Sequence, residues 1–323
     1  GVGAQYTPTA GYAQAIEYHK SVLGERAYDG AIGVGGTGAL GSAVGAQLTI
    51  NGGKLSNTSA TNRSMNSNLS VNLDGNFTVD DSLFATQGQL NFQGSNTIKN
   101  SSRTITVNGT GNLAFAGAVG EDVAGRGLTK DGTGTLALNS NVNTYSGPTT
   151  ILAGVLNIDG DGRLGNGGGT LNLSGGRLNV TASRTEAIQN PLNLTADSEV
   201  TTTSTAATVV LNFSNDSISG SSGTLTFRND GADAAPDRFD PRFTGGGFDF
   251  SRPIVIDNGA TGLTRLSSFK TTGTTQTFSG AISGSGSFRR TASSAGTGGT
   301  TIFTGPNTYA GGTEVNDGTL QVN

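Results

Sequence analysis

The sequence predicts an all-β chain whose short strands stack turn upon turn as a β-solenoid. Three observations carry that expectation. One phrase is written twice at long range, brief apolar runs alternate with polar residues along the whole length, and Gly, Asn, Ser and Thr fill the spaces between them.

The repeat takes precedence, because an array misread as an ordinary domain gives the wrong fold. Asn143, Thr144, Tyr145 and Gly147 recur as Asn307, Thr308, Tyr309 and Gly311; Gly154 and Leu156 recur in the same register as Gly318 and Leu320. Ahead of each copy lies a second match, "FAGAV" from Phe115 and "FSGAI" from Phe278. Repeat units near 115–158 and 278–322 follow from these matches. A sandwich, barrel or hairpin array remains the alternative, since Asn-Gly and Gly-Gly between alternating runs also signal hairpins. A sandwich, however, has no need of the same phrase twice.

Composition narrows the class. The 323 residues include 53 Gly, 33% are hydrophobic, only 13% are charged, and the net charge is −4. Disorder at such low hydrophobicity usually goes with high net charge, which is missing here. Scattered charge and a pI near 5.0 argue against nucleic acid as a partner. There is no Cys, hence no disulfide and no thiolate metal site, a composition compatible with export as an unlinked polypeptide. The opening "GVGAQYTPTAGYAQA" lacks the basic start and apolar core of a signal peptide, so an exported chain would be the mature form. No run approaches the roughly 20 apolar residues of a membrane helix, so no membrane span is expected.

Along the chain, residues 1–30 read as an N-terminal leader or cap. Ile16 and Leu23 share a face at helical spacing there, and His19, the single histidine, offers little basis for triad or metal chemistry. The solenoid is expected over 31–323. "LTINGGKL" from Leu48 and "LNLSGGRL" from Leu171 agree position by position, and "VNLDGNFTV", "LNFQGSNTI", "ITVNGTGNL", "LNLTADSEV" and "LNFSNDSIS" are looser relatives. Apolar residues two apart point to one side of a strand, and a unit this small buries them only by stacking on its neighbours. A turn of the solenoid would take ~20–25 residues, with Leu, Ile, Val and Phe inside and with Asn stacked on Asn one turn away.

The stretch "RNDGADAAPDRFDPRFTGGGFDFSRP" interrupts the pattern and reads as an inserted loop near 228–253. It gathers Phe239, Phe243, Phe248 and Phe250 with Arg238 and Arg242. Exposed, these would form a partner surface, since aromatics and Arg mark contact sites. Packed across the solenoid flank, the Phe rings would instead seal the core.

At "GLTKDGTGTLALNSNVNTYSGPTTILAGVLNIDGDGRLG" the chain resembles the autotransporter-associated β-strand repeat, also called the passenger-associated repeat. Leu128, Thr129, Lys130, Gly132, Gly134, Thr135, Leu136 and Leu138 fit that phrase, as do Asn143 to Gly147, Gly154, Leu156 and Ile158. The second copy fits closely from Asn307 to Val322, but "RRTASSAGTGGTTIF" replaces its Leu-Thr-Lys opening. The resemblance implies a right-handed parallel β-helix, a single elongated domain, exported to a bacterial surface or beyond it. It also implies a passenger, adhesin or matrix component. No block of amphipathic strands like the family's membrane barrel is present in the sequence.

Chemistry is weakly signalled. Asn157, Asp159 and Asp161 alternate ahead of Gly162 like the start of a calcium loop, but Gly168 stands where a bidentate Glu is needed; a solvated turn is the simpler reading. A polysaccharide-cleaving enzyme would need two acids at a set separation. Asp80 and Asp81 are adjacent, hence on opposite faces of a strand, and Glu121 and Asp122 fall in a Gly-rich loop. A non-enzymatic protein with no cofactor is therefore expected. Its role would be structural, as a surface or matrix subunit stacking head to tail through open terminal rungs, with Thr319, Leu320, Gln321 and Val322 as the assembly edge. An adhesin using side loops on a host, cell-surface or polysaccharide ligand is the alternative.

Overall fold

Short strands with apolar residues at every second position have a single way to bury them, which is to lie beside equivalent strands from the turns above and below. The computed structural model describes residues 4–7, 31–34, 45–57, 60–80, 88–110, 112–160, 162–181, 185–206, 208–214, 216–231, 238–269, 273–292 and 298–323. His19 and Asp161 lie outside them. Among the described residues there are strands and turns and no helix. The chain divides into two compact units, 1–156 and 157–323. Each is a parallel β-solenoid.

In the first unit every turn visits three sheets. One holds Gln47–Ile50, Ser70–Leu73, Asn96–Ile98 and Val119–Glu121; the next holds Lys54–Asn57, Phe77–Val79, Arg103–Val107, Leu128–Asp131 and Thr149–Ile151; the third holds Arg63–Met65, Leu90–Phe92, Asn112–Phe115 and Thr135–Leu138. The "NGG" between Gln47–Ile50 and Lys54–Asn57 is thus a corner between two sheets, where Gly52 and Gly53 take positive φ of 139° and 81°. That disposes of the hairpin alternative for this motif. A single antiparallel pairing departs from the pattern: Ala4–Thr7 runs against Gln47–Ile50 and covers its edge. That backbone edge is therefore already paired.

The second unit repeats the scheme with longer turns. Arg177–Val180, Ser198–Thr202, Leu225–Asn229 and Ile254–Asp257 form one sheet. Thr185–Ile188, Thr208–Phe213, Arg238–Phe243, Leu263–Phe269, Ser287–Thr291 and Thr313–Val315 form another, and Phe248–Phe250, Thr275–Phe278, Thr300–Phe303 and Thr319–Val322 a further one. Hydrogen-bonded neighbours one turn apart are 23 residues apart at Asn72 and Thr49 but 31 at Thr244 and Phe213. Asn stacking, expected at turns, occurs here along the strands: Asn193 donates to Asn172 at 3.0 Å and Asn179 to Asn157 at 2.9 Å.

Residues 228–253 are not an inserted loop. They contribute Arg238–Phe243 and Phe248–Phe250 to two sheets, and Phe239, Phe243, Phe248 and Phe250 are all buried. The partner-surface reading of these four rings is corrected accordingly, for a simple geometric reason. Alternate strand positions point inward, and in-register stacking sets Phe243 beside Phe213 and lines Phe250, Phe278 and Phe303 in one column. Ring centroids in this core stand 4.7 to 6.1 Å apart, mostly edge to face, which is the favoured aromatic geometry.

Phe278 touches Phe243, Phe248, Phe288 and Phe303. Phe278→Ala should destabilise the second unit by about 3–5 kcal/mol in urea unfolding. A loss below about 1 kcal/mol would contradict this account of the core.

Candidate functional site

Three local arrangements have chemistry beyond core packing: the repeat phrase, an arginine cluster and an exposed strand edge. The repeat phrase is a set of connections between turns. Asn143 accepts a hydrogen bond from the Val119 N–H at 2.8 Å through its side-chain oxygen, and Asn307 does the same for Ile282 at 3.0 Å. The two halves of each repeat recognised in the sequence, Phe-x-Gly-Ala-[Val/Ile] and Asn-Thr-Tyr-x-Gly, are therefore bonded to each other one turn apart. Within the phrase the Tyr145 hydroxyl meets Thr149 at 2.7 Å, and Tyr309 meets Thr313. Burial pushes the Tyr145 phenol well above its usual range, so it stays protonated.

The lysine of the phrase is buried. Lys130 points inward and donates to the carbonyls of Asp131, Gly132 and Ala153 at 2.7, 2.8 and 3.1 Å. Gly154 passes directly over it at φ 62°; a Cβ there would lie 2.9 Å from the Lys130 Nζ and 2.3 Å from the Gly132 oxygen. In the second copy Arg290 takes this place. It pairs in register with Val315 as Lys130 pairs with Ile151, and it donates to the carbonyls of Ser268, Thr291 and Gly299 beneath Gly318. The poor match of "RRTASSAGTGG" to Leu-Thr-Lys thus conceals a buried cation of the same function.

The arginine cluster lies on the outward side of the sheet containing Arg238–Phe243. Phe239 and Phe243 point in, while Arg238, Asp240 and Arg242 point out. Asp240 is nevertheless fully covered, because its Oδ2 accepts from Arg242 at 2.9 Å, Arg265 at 3.0 Å and Arg289 at 2.8 Å, and its Oδ1 from the Ser267 hydroxyl at 2.6 Å. Burial alone would raise the Asp240 carboxyl, but Ser267 and the Arg242 and Arg289 guanidiniums hold it below its ordinary value. Arg242 also lies over the Phe269 ring at 5.1 Å. Of the residues bonded to Asp240, the sequence singled out Arg242 alone as a contact candidate. Arg265 and Arg289 arrive from the next two turns, 25 and 49 residues beyond Asp240.

The edge formed by Thr313–Val315 and Thr319–Val322 has no further strand beside it among the described residues. Val315 is 50% exposed and Val322 70%, whereas their counterparts in the first copy, Ile151 and Ile158, are 0% and 2% exposed. Thr319 and Gln321 are exposed as well, and Leu320 is half-buried.

Other sequence candidates have structural partners. Asn157 belongs to the Asn ladder, and Asp159 pairs with Arg163 at 2.6 Å. Glu121 accepts from the backbone and hydroxyl of Ser146 and from the Arg126 N–H, clipping one turn to the next. The Asn100 N–H and Arg126 hold the Asp122 carboxyl down at about 2, so it is ionised and unsuited to general-acid work at neutral pH.

Among known families, the passenger-associated-transport-repeat pattern matches residues 128–158 and 295–322. The second match begins after Arg290, so the buried cation of that copy becomes evident through the strand register alone. Neither a search of curated proteins nor one of solved structures found a match.

Burial lowers the Lys130 ammonium from 10.5 to about 8, with Asp131 opposing the shift. Between pH 8 and 10.5 the unfolded chain therefore binds more protons at this group, so stability should rise with pH across that window. Relative to Lys130→Met, the wild-type chain should gain up to about 3 kcal/mol from pH 7.5 to pH 10 in denaturant unfolding. A constant difference between the two would show that Lys130 does not titrate in that window.

Proposed function

We propose that this chain is the structural part of an exported passenger at a bacterial surface or in the extracellular matrix, and that its exposed rung joins a second copy head to tail. The repeat matches and the solenoid fit an exported, autotransporter passenger-like β-helix, and the repeat family is one of structural passengers. The observation that carries the assembly is the edge. Val315 and Val322 occupy inward positions of the repeat yet stand half to mostly exposed, and the strands that carry them have no further strand paired to their outer edge among the described residues. A parallel rung stacked there, from a second copy or from further chain, would bury both valines and Leu320 and pair that backbone. Such a contact is heterologous, so it propagates and does not close. Because the Gln47–Ile50 edge is taken by Ala4–Thr7, the copies would have to meet through the remaining N-terminal edges, such as that of Ala31–Val34.

Electron microscopy of the purified chain over a concentration series tests the assembly. Uniform filaments that are lost in Val322→Lys are expected, and monomers at every concentration would overturn it. Protease added to intact native cells tests display separately. The chain should be cleaved while a cytoplasmic marker survives, and protection of the chain would refute the surface reading.

A further inference from the structure

The arginine cluster around Asp240 has an imbalance of charge that its neighbour lacks. On the adjoining sheet of the same unit, Arg177 and Arg228 share Glu199 and Asp230, two cations against two anions, with contacts of 2.6 to 3.4 Å. That network is complete in itself, as a structural salt bridge should be. Around Asp240, by contrast, three guanidiniums converge on one carboxylate oxygen. Among the described residues, the other acid ion-paired to these arginines is Glu314, 3.7 Å from Arg265 and half exposed. Counting it, one positive charge is in excess. Discounting it as solvated, two are.

Like charges this close repel unless a further anion is present, and partial burial reduces the screening that water would supply. Burial lowers the Arg289 guanidinium's proton affinity, and Arg265 and Arg242 lower it further against the pull of Asp240. The Nε atoms of Arg265 and Arg289 are buried with no acceptor. Yet the Arg242, Arg265 and Arg289 side chains keep 21%, 13% and 13% of their surface open to solvent, so an incoming group can reach them from outside.

We propose that Arg242, Arg265 and Arg289 form an oxyanion-binding site on the outer side of the second unit, suited to a sulfate or carboxylate group of an acidic glycan. The donors come from three consecutive turns: Arg242 and Arg289 share one register position on either side of Ser267, and Arg265 stands two residues away on the middle strand, so their charge is spread over neighbouring turns and suits a charged polymer better than a neutral one. Asp240 orients the three guanidiniums and holds them together when no ligand is bound. The site lies on the side of the second unit next to the exposed edge, since Arg289 pairs in register with Glu314 of Thr313–Val315; it faces outward, whereas the assembly reading rests on the inward Val315 and Val322.

Calorimetric titration of the full chain with sodium sulfate, a sulfated glycan and a polyuronate, at matched ionic strength, tests the site. Binding by at least one probe is expected, and Arg265→Gln/Arg289→Gln should weaken it at least about tenfold. Arg177→Gln/Arg228→Gln should leave it unchanged. Tighter binding of a glycan than of sulfate identifies the polymer as the source, whereas equal binding identifies a free anion. If the double variant fails to fold, Asp240→Asn gives the second reading. Sulfate should raise its melting temperature more than that of the wild type, by taking the place of the lost carboxylate. No binding by any probe, or binding that is equal in the double variant, would overturn the proposal, as would an equal response of Asp240→Asn and wild type to sulfate.

Discussion

Because each strand pairs in parallel with the strand one turn away, a side chain that points inward on one turn rests on its equivalent on the next. That register governs the rest of each unit. It builds the column of Phe250, Phe278 and Phe303 and sets Phe243 on Phe213. It also aligns Asn193 with Asn172 on the outside, so each polar ladder is a by-product of the apolar one. A slip by one residue would exchange the two sides completely, so the hydrophobic pattern enforces the register.

The same constraint accounts for the repeat phrase. Corners between sheets leave backbone groups pointing into the solenoid, where water cannot satisfy them. Asn143 and Asn307 take an N–H each, and Lys130 and Arg290 take groups of carbonyls. Gly154 and Gly318 are required because the next turn crosses directly over those cations. A charged group buried this way needs several hydrogen bonds, and the close crossing of the glycine brings the carbonyls of the next turn within reach of the cation. The repeat is therefore a device for joining turns. What remains for function lies outside: the arginine cluster on one side and the open edge at Thr319–Val322.

Much of this was legible in the sequence, and the exceptions have one physical origin. Alternation of Leu, Ile, Val and Phe revealed the strands, and the doubled phrase revealed stacking. The strand partners were not legible, since pairing depends on the number of residues in each turn, and corners absorb variable numbers of them. Arg265 and Arg289 could not be placed beside Asp240 without that count. Arg290 could not be matched to Lys130, because the stretch between Arg290 and Asn307 is longer than that between Lys130 and Asn143. Residues 228–253 looked like an insertion because Pro and charge broke the alternation. Asp240 and Pro241 are both buried there, one under arginines and the other in the strand, so a two-sided burial hid the strand signal.

The central claim is parallel stacking in register, and the absence of native Cys makes it directly testable. Asn172 and Asn193 are in-register partners on neighbouring strands, at a spacing that a disulfide can bridge. Oxidised Asn172→Cys/Asn193→Cys should form an intramolecular disulfide, detected by mass spectrometry, with native circular dichroism. Asn172→Cys/Thr195→Cys, two residues out of register, should remain largely reduced under the same conditions. Crosslinking of the second pair in preference to the first would contradict the account.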